Sequence, residues 1–289
     1  MIQQLVNGLA LGGLYVTFAI GMALIYSVLR VLHIAHGAMI LVGAYCSLLL
    51  LPFFGDNLVI TIIIGMLVAG FVGTLVGMGV YVRLLKSKSS TKYDTILLAS
   101  VAILIASQEA LMILFGVRHK QYPTPINSLT INIFGISLFV IQIACALVSF
   151  VSMFVLWVFL TKTDEGRALR ALDQDPQLAS LSGVNPLKTY IITLFTGSML
   201  GGLSGGLLSL YYNDVHPEIA FVPVNIALAV IIVGGLGSIP GTIIAGLILG
   251  ILETTALAYI PLTFPRTLVS FIVLIVILLL RPRGIMGRP

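Results

Sequence analysis

Residues 162–188 read KTDEGRALRALDQDPQLASLSGVNPLK. Eight charged side chains, four of each sign, fall in these twenty-seven positions of an otherwise apolar chain. A charge at mid-bilayer costs about 3 kcal/mol or more, so this stretch belongs in water or against another protein. Its internal order favours a shaped element. Asp175-Pro176 is a helix start, because Asp accepts from free N–H groups and Pro fits the first helical position. Gly183 is a helix stop. Between them the spacing predicts a short helix, Pro176 to Ser182, carrying Leu178, Ala179 and Leu181. These three side chains are expected to be buried in a partner's groove, with Arg167, Arg170, Asp173 and Asp175 framing the contact by charge. The alternative is an ordinary loop between two spans.

The rest of the chain sets the context. Of its 289 residues 59% are hydrophobic and 9% charged, with a mean hydropathy of +1.14. A soluble domain carries about 25% charged residues. The composition therefore predicts an all-α, polytopic membrane protein, and residues 1–289 form one membrane domain. The net charge of +5 comes from basic residues between spans, and no nucleic-acid partner is expected. Cys46 and Cys145 sit in apolar runs and read as small buried residues. Residues 5–29 are too long and lack the basic leader of a cleavable signal.

A span needs roughly 20 apolar residues. The expected segments are 5–29, 37–54, 58–82, 95–115, 138–161, 189–211, 224–237, 241–258 and 267–280, about eight or nine in all, the second, seventh and ninth being short. Segment 224–237 either crosses or re-enters, and the charge pattern favours crossing. Arg30, Arg83, Lys86, Lys88, Lys92, Lys162, Arg167, Arg170, Lys188, Arg281, Arg283 and Arg288 then share one face. Arg118, Lys120 and Arg266 lie on the other. The positive-inside rule places the C-terminus and loop 162–188 in the cytoplasm and the N-terminus outside. The outer loop, 116–137, alternates apolar and polar residues over 129–133 before Gly135, which predicts a small hairpin.

Glycines recur at four-residue steps: Gly197, Gly201 and Gly205; Gly73 and Gly77; Gly246 and Gly250. Such stripes let helix backbones approach, inside the subunit or between subunits. Residues 234–241, GGLGSIPG, break the chain at a membrane end. Ile34-Ala35 precedes Gly43 as Ile226-Ala227 precedes Gly235, the mark of an internal repeat or of chance in so apolar a chain.

Few polar residues lie inside the spans. Glu109 and Glu253 each stand about 8–10 Å from the outer end of a segment at 1.5 Å per residue. Acids so placed either mark a pathway, or snorkel to the outer interface or make interhelical hydrogen bonds. His33 and His36 read as interfacial residues at the cytoplasmic end, or as the inner mouth of a path. Asn225 and Ser27 are weaker candidates. The sequence shows no G-x-x-x-x-G-K-[ST], no G-x-S-x-G and no H-E-x-x-H, so no ATPase or hydrolase of its own. No metal-ligand spacing, and hence no metal or cofactor, is expected.

Three separated strings carry a resemblance: GRALRALDQDPQLASLSGVN, GGLGSIPG and HIAHGAMILVGAY (33–45). All three resemble the branched-chain amino acid ABC transporter permeases, specifically the shorter, H-type subunit. The general coupling pattern of ABC importers, Glu-Ala-Ala, three residues, then Gly, is only partly kept. Gln177-Leu178-Ala179 precede Ser180-Leu181-Ser182 and Gly183, and no Leu-Pro follows. The resemblance implies an inner-membrane permease for branched-chain or other hydrophobic amino acids. It also implies a heterodimer with a longer paralogous permease, two cytoplasmic ATPase subunits and a soluble substrate-binding protein. The coupling residues it implies are Arg167, Arg170, Asp175, Pro176, Leu178, Ala179, Leu181 and Gly183. The candidates for the path are Glu109, Glu253, Asn225 and His36. Urea and amide importers share this permease type. A secondary carrier or channel is the alternative from another class, and would be expected to hold acids deeper in the membrane.

Overall fold

Apolar runs of this length satisfy their backbone groups in a bilayer only as helices. The computed structural model of the chain describes residues 2–55, 57–85, 89–122, 129–133, 136–259 and 266–287, and it is helical apart from one small hairpin. Among the described residues, seven helices are long and apolar enough to cross a membrane. Two shorter ones, Phe221–Gly234 and Thr267–Leu280, bring the segments to the nine read from the sequence.

Helix α1 (Ile2–Leu29) is followed by a non-helical stretch and α2 (His36–Leu50). Helix α3 (Leu58–Val76) passes through a π-turn (Gly77–Val82) into α4 (Arg83–Leu85), and α5 (Lys92–Phe115) follows. Strands β1 (Thr130–Ile133) and β2 (Ile136–Phe139) pair antiparallel, with Thr130 opposite Phe139. The hairpin expected from the alternation is present, although Gly135 lies outside the described residues. So do Lys86, Lys88 and Arg288 of the charge pattern. Then come α6 (Val140–Lys162), α7 (Asp164–Gln174), α8 (Pro176–Leu181), α9 (Pro186–Tyr212), α10 (Phe221–Gly234), α11 (Ile239–Tyr259) and α12 (Arg266–Leu280).

The glycine stripes are internal seams. Gly8 and Gly12 of α1 abut Ile251 and Leu247 of α11, and Gly246 abuts Val16, so the two helices lie antiparallel. Helices α3 and α9 pair the same way, Gly73 against Ser198 and Gly77 against Leu194. Gly43 of α2 meets the backbone of Gly202, where any side chain would collide with main chain. Gly197 meets α1, and Gly201 and Gly205 meet α2.

These pairings reveal a repeat. A long helix, a break, a short helix and another long helix occur twice, as α1–α2–α3 and α9–α10–α11. The first helix of each unit packs on the third helix of the other, and α5 beside α2 is matched by α12 beside α10. Matched helices run in opposite directions, which makes the repeat inverted. Arg30 (φ 55°) ends α1 and Asn213 (φ 52°) ends α9. They are the two non-glycine residues with positive φ among the described residues. A histidine follows each at the third position, His33 and His216. An Ile-Ala pair then precedes each short helix: Ile34-Ala35 before α2, Ile219-Ala220 before α10. The repeat is therefore in a different register from the one the sequence suggested, which matched Ile34-Ala35 to Ile226-Ala227. Two extra residues, Pro217-Glu218, hid it.

Helix α10 stops at Gly234, earlier than expected, because Gly235 (φ 101°) and Gly237 (φ 81°) turn the chain. The tail occupies the open end. Ile285 N donates to Val233 O at 2.8 Å and Met286 N to Gly234 O at 3.0 Å, satisfying carbonyls the helix leaves free.

Candidate functional site

At the Arg30 end, three side-chain caps shape loop 162–188. Thr163 Oγ1 accepts from Gly166 N at 3.0 Å and opens α7. Asp175 Oδ1 accepts from Gln177 N at 2.8 Å and Leu178 N at 3.0 Å and opens α8 at Pro176. Asn185 Oδ1 accepts from Leu187 N and Lys188 N and opens α9. Gly183 (φ 89°) closes α8, with Val184 N donating to Ala179 O at 3.0 Å. The left-handed turn that this closure needs is the one glycine supplies. Each cap stabilises its helix by about 1 kcal/mol, so local sequence fixes this shape. The short helix ends one residue earlier than expected, at Leu181.

Two expectations at this end are corrected. Ala179 is buried in its own chain, in one cluster with Leu169 and Leu172 of α7. Leu178 (62% exposed) and Leu181 (85%) stand outward. The reason is rotation: residues three apart share a helix face, whereas Ala179 is turned off it by about 100°. Asp173 also turns inward. Arg30 donates from one guanidinium nitrogen to Asp173 O at 2.8 Å and to Oδ1 at 3.3 Å. That pair joins the end of α1 to the end of α7, while Asp175 serves as the cap; Arg167 and Arg170 remain exposed. With the Arg30 head half in solvent, the ion pair itself contributes little, and its worth is positional. Beside it lies a cavity of about 540 Å³, lined by Arg30, Asp173, Leu236, Gly237 and Arg283.

Both histidines read as interfacial are instead buried. The break after Arg30 leads back into the bundle, so His36 lies against Gly21 of α1 and Gly201 of α9. Gly21 is roughly 12 Å along α1 from Leu29 at 1.5 Å per residue. His36 stacks on Phe18, ring centroids 4.7 Å apart. His33 Nδ1 and Tyr81 Oη share a hydrogen bond of 2.9 Å, and the π-turn is the segment that presents Tyr81. At the start of α2, a Cβ on Gly37 would press on Val224 of α10 and Leu104 of α5. The beginnings of the two short helices thus meet inside the bundle. Nothing in the local sequence marks Gly37 as such a meeting point.

The acids divide. Glu109 is exposed on α5, in a stripe with Ala102, Ala106, Ala110 and Ile113. Glu253 is fully buried and accepts from Tyr15 Oη at 3.0 Å, so it joins α11 to α1 as an interhelical hydrogen bond. Close by, a cleft of about 450 Å³ is lined by Gln4, Asn7, Gln142, Tyr211, Tyr212 and Thr254. Asn225, half-buried one residue after Val224, donates to Phe221 O at 2.9 Å. Ser27 donates to Leu24 O on its own helix.

At the hairpin end, a segment after α5 is fastened to the second break. Lys120 N donates to Val215 O at 2.9 Å and Val215 N to Lys120 O at 2.8 Å. Asn213 Oδ1 accepts from Tyr122 N at 3.1 Å. This brings His119, Asp214 and His216 together, a grouping with no signature in a sequence where the first two stand 95 positions apart. Burial pushes His216 below the ordinary histidine pKa, and Asp214 opposes that shift.

Known proteins are similar to this chain in sequence along its length. The family model described as branched-chain amino acid transport system / permease component matches residues 4–280. The high-affinity branched-chain amino acid transport system permease protein LivH of Escherichia coli (strain K12) is 31% identical over 299 residues, covering 100% of this chain and 96% of the relative. The corresponding protein BraD of Pseudomonas aeruginosa is 29% identical over 297 residues, covering 100% and 96%. A probable branched-chain amino acid transport permease protein LivH of Methanocaldococcus jannaschii is 30% identical over 290 residues, covering 95% and 89%.

Proposed function

The chain belongs to the family of permease components of branched-chain amino acid transport systems, and from that membership we propose that it is the H-type permease of an ABC importer for branched-chain or other hydrophobic amino acids. A soluble binding protein delivers the substrate, two ATPase subunits supply the energy, and a longer paralogous permease completes the path. The C-terminus and loop 162–188 face the cytoplasm and the N-terminus faces outward, a reading supported by the bias of Lys and Arg. The substrate class rests on what the relatives are named for.

The observation that carries this reading is helix α8, capped at both ends and presenting Leu178 and Leu181 to solvent. Two exposed leucines on a rigid six-residue helix between membrane spans suit a groove on an ATPase. Because Ala179 packs inward, enlarging it would disturb α7 rather than the partner. The informative substitutions are Leu178→Asp and Leu181→Asp. The double variant is expected to yield a folded permease pair that has lost its ATPases or hydrolyses ATP without uptake. Normal uptake per ATP in that variant would remove α8 from the coupling role.

Glu109 supplies the second support. A carboxylate has no favourable reason to face lipid, so its stripe on α5 suits the partner permease and a polar path between the two subunits. The path reading does not extend to Glu253 or His36, which are enclosed in this subunit; Asn225 remains beside the junction of the short helices. Glu109→Gln is expected to leave the assembled complex intact and to change uptake several-fold. Unaltered uptake kinetics would take Glu109 off the path.

A further inference from the structure

The hairpin end holds a group of side chains that neither transport nor packing explains. His119 Nδ1 lies 2.8 Å from Asp214 Oδ2 and 3.0 Å from Oδ1. His216 Nδ1 lies 3.0 Å from the same Oδ2. The two imidazole rings are 4.4 Å apart, centre to centre. One ligand atom from each residue falls within 4.8 Å of the others. We propose that His119, Asp214 and His216 form a binding site for a divalent transition metal of the zinc type.

Three features support this ligand set. The first is its chemistry: two imidazole nitrogens and one carboxylate suit Zn²⁺, Ni²⁺ or Cu²⁺ better than Mg²⁺ or Ca²⁺, which prefer oxygen alone. The second is an orphaned atom. His216 Nδ1 is buried, and although it lies close to Asp214 it makes no hydrogen bond of acceptable geometry. A cation between them would satisfy both groups. The third is preorganisation. The Lys120–Val215 pair and the Tyr122–Asn213 bond hold the two contributing segments together without help from the three ligands. Ligand atoms around a tetrahedral zinc ion are roughly 3.3 Å apart, so the distances from Asp214 Oδ2 to the two histidines, 2.8 and 3.0 Å, need to open by only a few tenths of an ångström. With three protein ligands and His119 exposed, the fourth position is open to water. A bound ion would cross-link the segment after α5 to the break that precedes α10. The proposal is independent of the transport reading, since it needs only the geometry at this end.

The test uses the full-length chain, purified with a tag that contains no histidine and stripped with a chelator. The chain has four histidines, and the other two, His33 and His36, are buried. Co²⁺ and Zn²⁺ titrations should show one site per chain. His119→Ala, His216→Ala and Asp214→Asn should each weaken it at least tenfold. X-ray absorption on the zinc-loaded protein should show scattering from two imidazoles, a readout that needs no variant. Absence of a stoichiometric site, wild-type affinity in all three variants, or a zinc shell without imidazole would each overturn the proposal and leave the cluster as a His–Asp–His contact alone.

Discussion

The breaks at Arg30–Ala35 and Asn213–Ala220 are the same backbone device in two environments. Each begins with a non-glycine residue in the left-handed region, and each has a histidine three positions later. In each, that histidine's carbonyl accepts a backbone hydrogen bond three residues on: His36 N to His33 O, Ile219 N to His216 O. Each then delivers an Ile-Ala pair to the start of a short helix. The first break turns straight into the bundle, and His33 ends fully buried against Tyr81. The second is longer by Pro217-Glu218 and stays at the hairpin end, where His216 meets Asp214 and His119. Similar backbones have thus placed equivalent histidines in unlike surroundings. What a side chain does here is decided by depth, not by its position in the repeat.

The short helices differ in the same sense. Helix α2 sits backbone to backbone on α9 at Gly43 and Gly202, while α10, which packs on α1, carries the buried Ala227 within the core cluster. Added bulk should therefore be felt unequally. Gly43→Val forces two main chains apart, and we expect no monodisperse, folded permease from it. Ala227→Val can be met by side-chain shifts and should cost about 1–3 kcal/mol, with folded protein recovered. The measurement is the yield of monodisperse protein, followed by denaturant unfolding. If Gly43→Val folds as well as Ala227→Val, the two seats are alike and the asymmetry disappears.

Sequence legibility followed the range of the interaction. The caps at Thr163, Asp175 and Asn185 act within three residues, and the start at Asp175, with the stop at Gly183, is readable directly. The nine segments were readable because apolar length is a local property. Direction was not. Glu109 and Glu253 look equivalent in one dimension, yet one is exposed and the other is held by Tyr15, 238 positions away. Ala179 faces inward against the sequence expectation because a six-residue helix carries too little pattern to orient itself. His33 and His36 read as interfacial in the sequence because six residues between helices look like a surface loop. No local signal says that the chain turns back inward. The inverted repeat shows in the sequence only as an Ile-Ala pair; the true match lies seven residues from the apparent one (Ile219 against Ile226), and the two-residue insertion before Ile219 breaks the His-Ile-Ala string that would mark it.

The smallest effect separates the two histidines. Removing His33 leaves the buried Tyr81 hydroxyl unpaired, at about 1–3 kcal/mol, and opens a void besides. Removing His216 with metal absent exposes no such orphan, because water reaches the neighbouring Asp214 and His119, and about 1 kcal/mol or less is expected. His33→Ala and His216→Ala should therefore differ in unfolding free energy by roughly 1–2 kcal/mol in the presence of chelator. Part of that difference belongs to one hydrogen bond, and a cycle with Tyr81→Phe isolates it. In a membrane protein such interhelical bonds couple by about 0.6 kcal/mol on average. A coupling near that value between His33 and Tyr81, with none between His216 and Tyr81, is the expected result. Equal losses at the two histidines, or no coupling at the first, would mean that the inward turn after Arg30 is held by packing alone. The depth of the break would then carry no polar anchor.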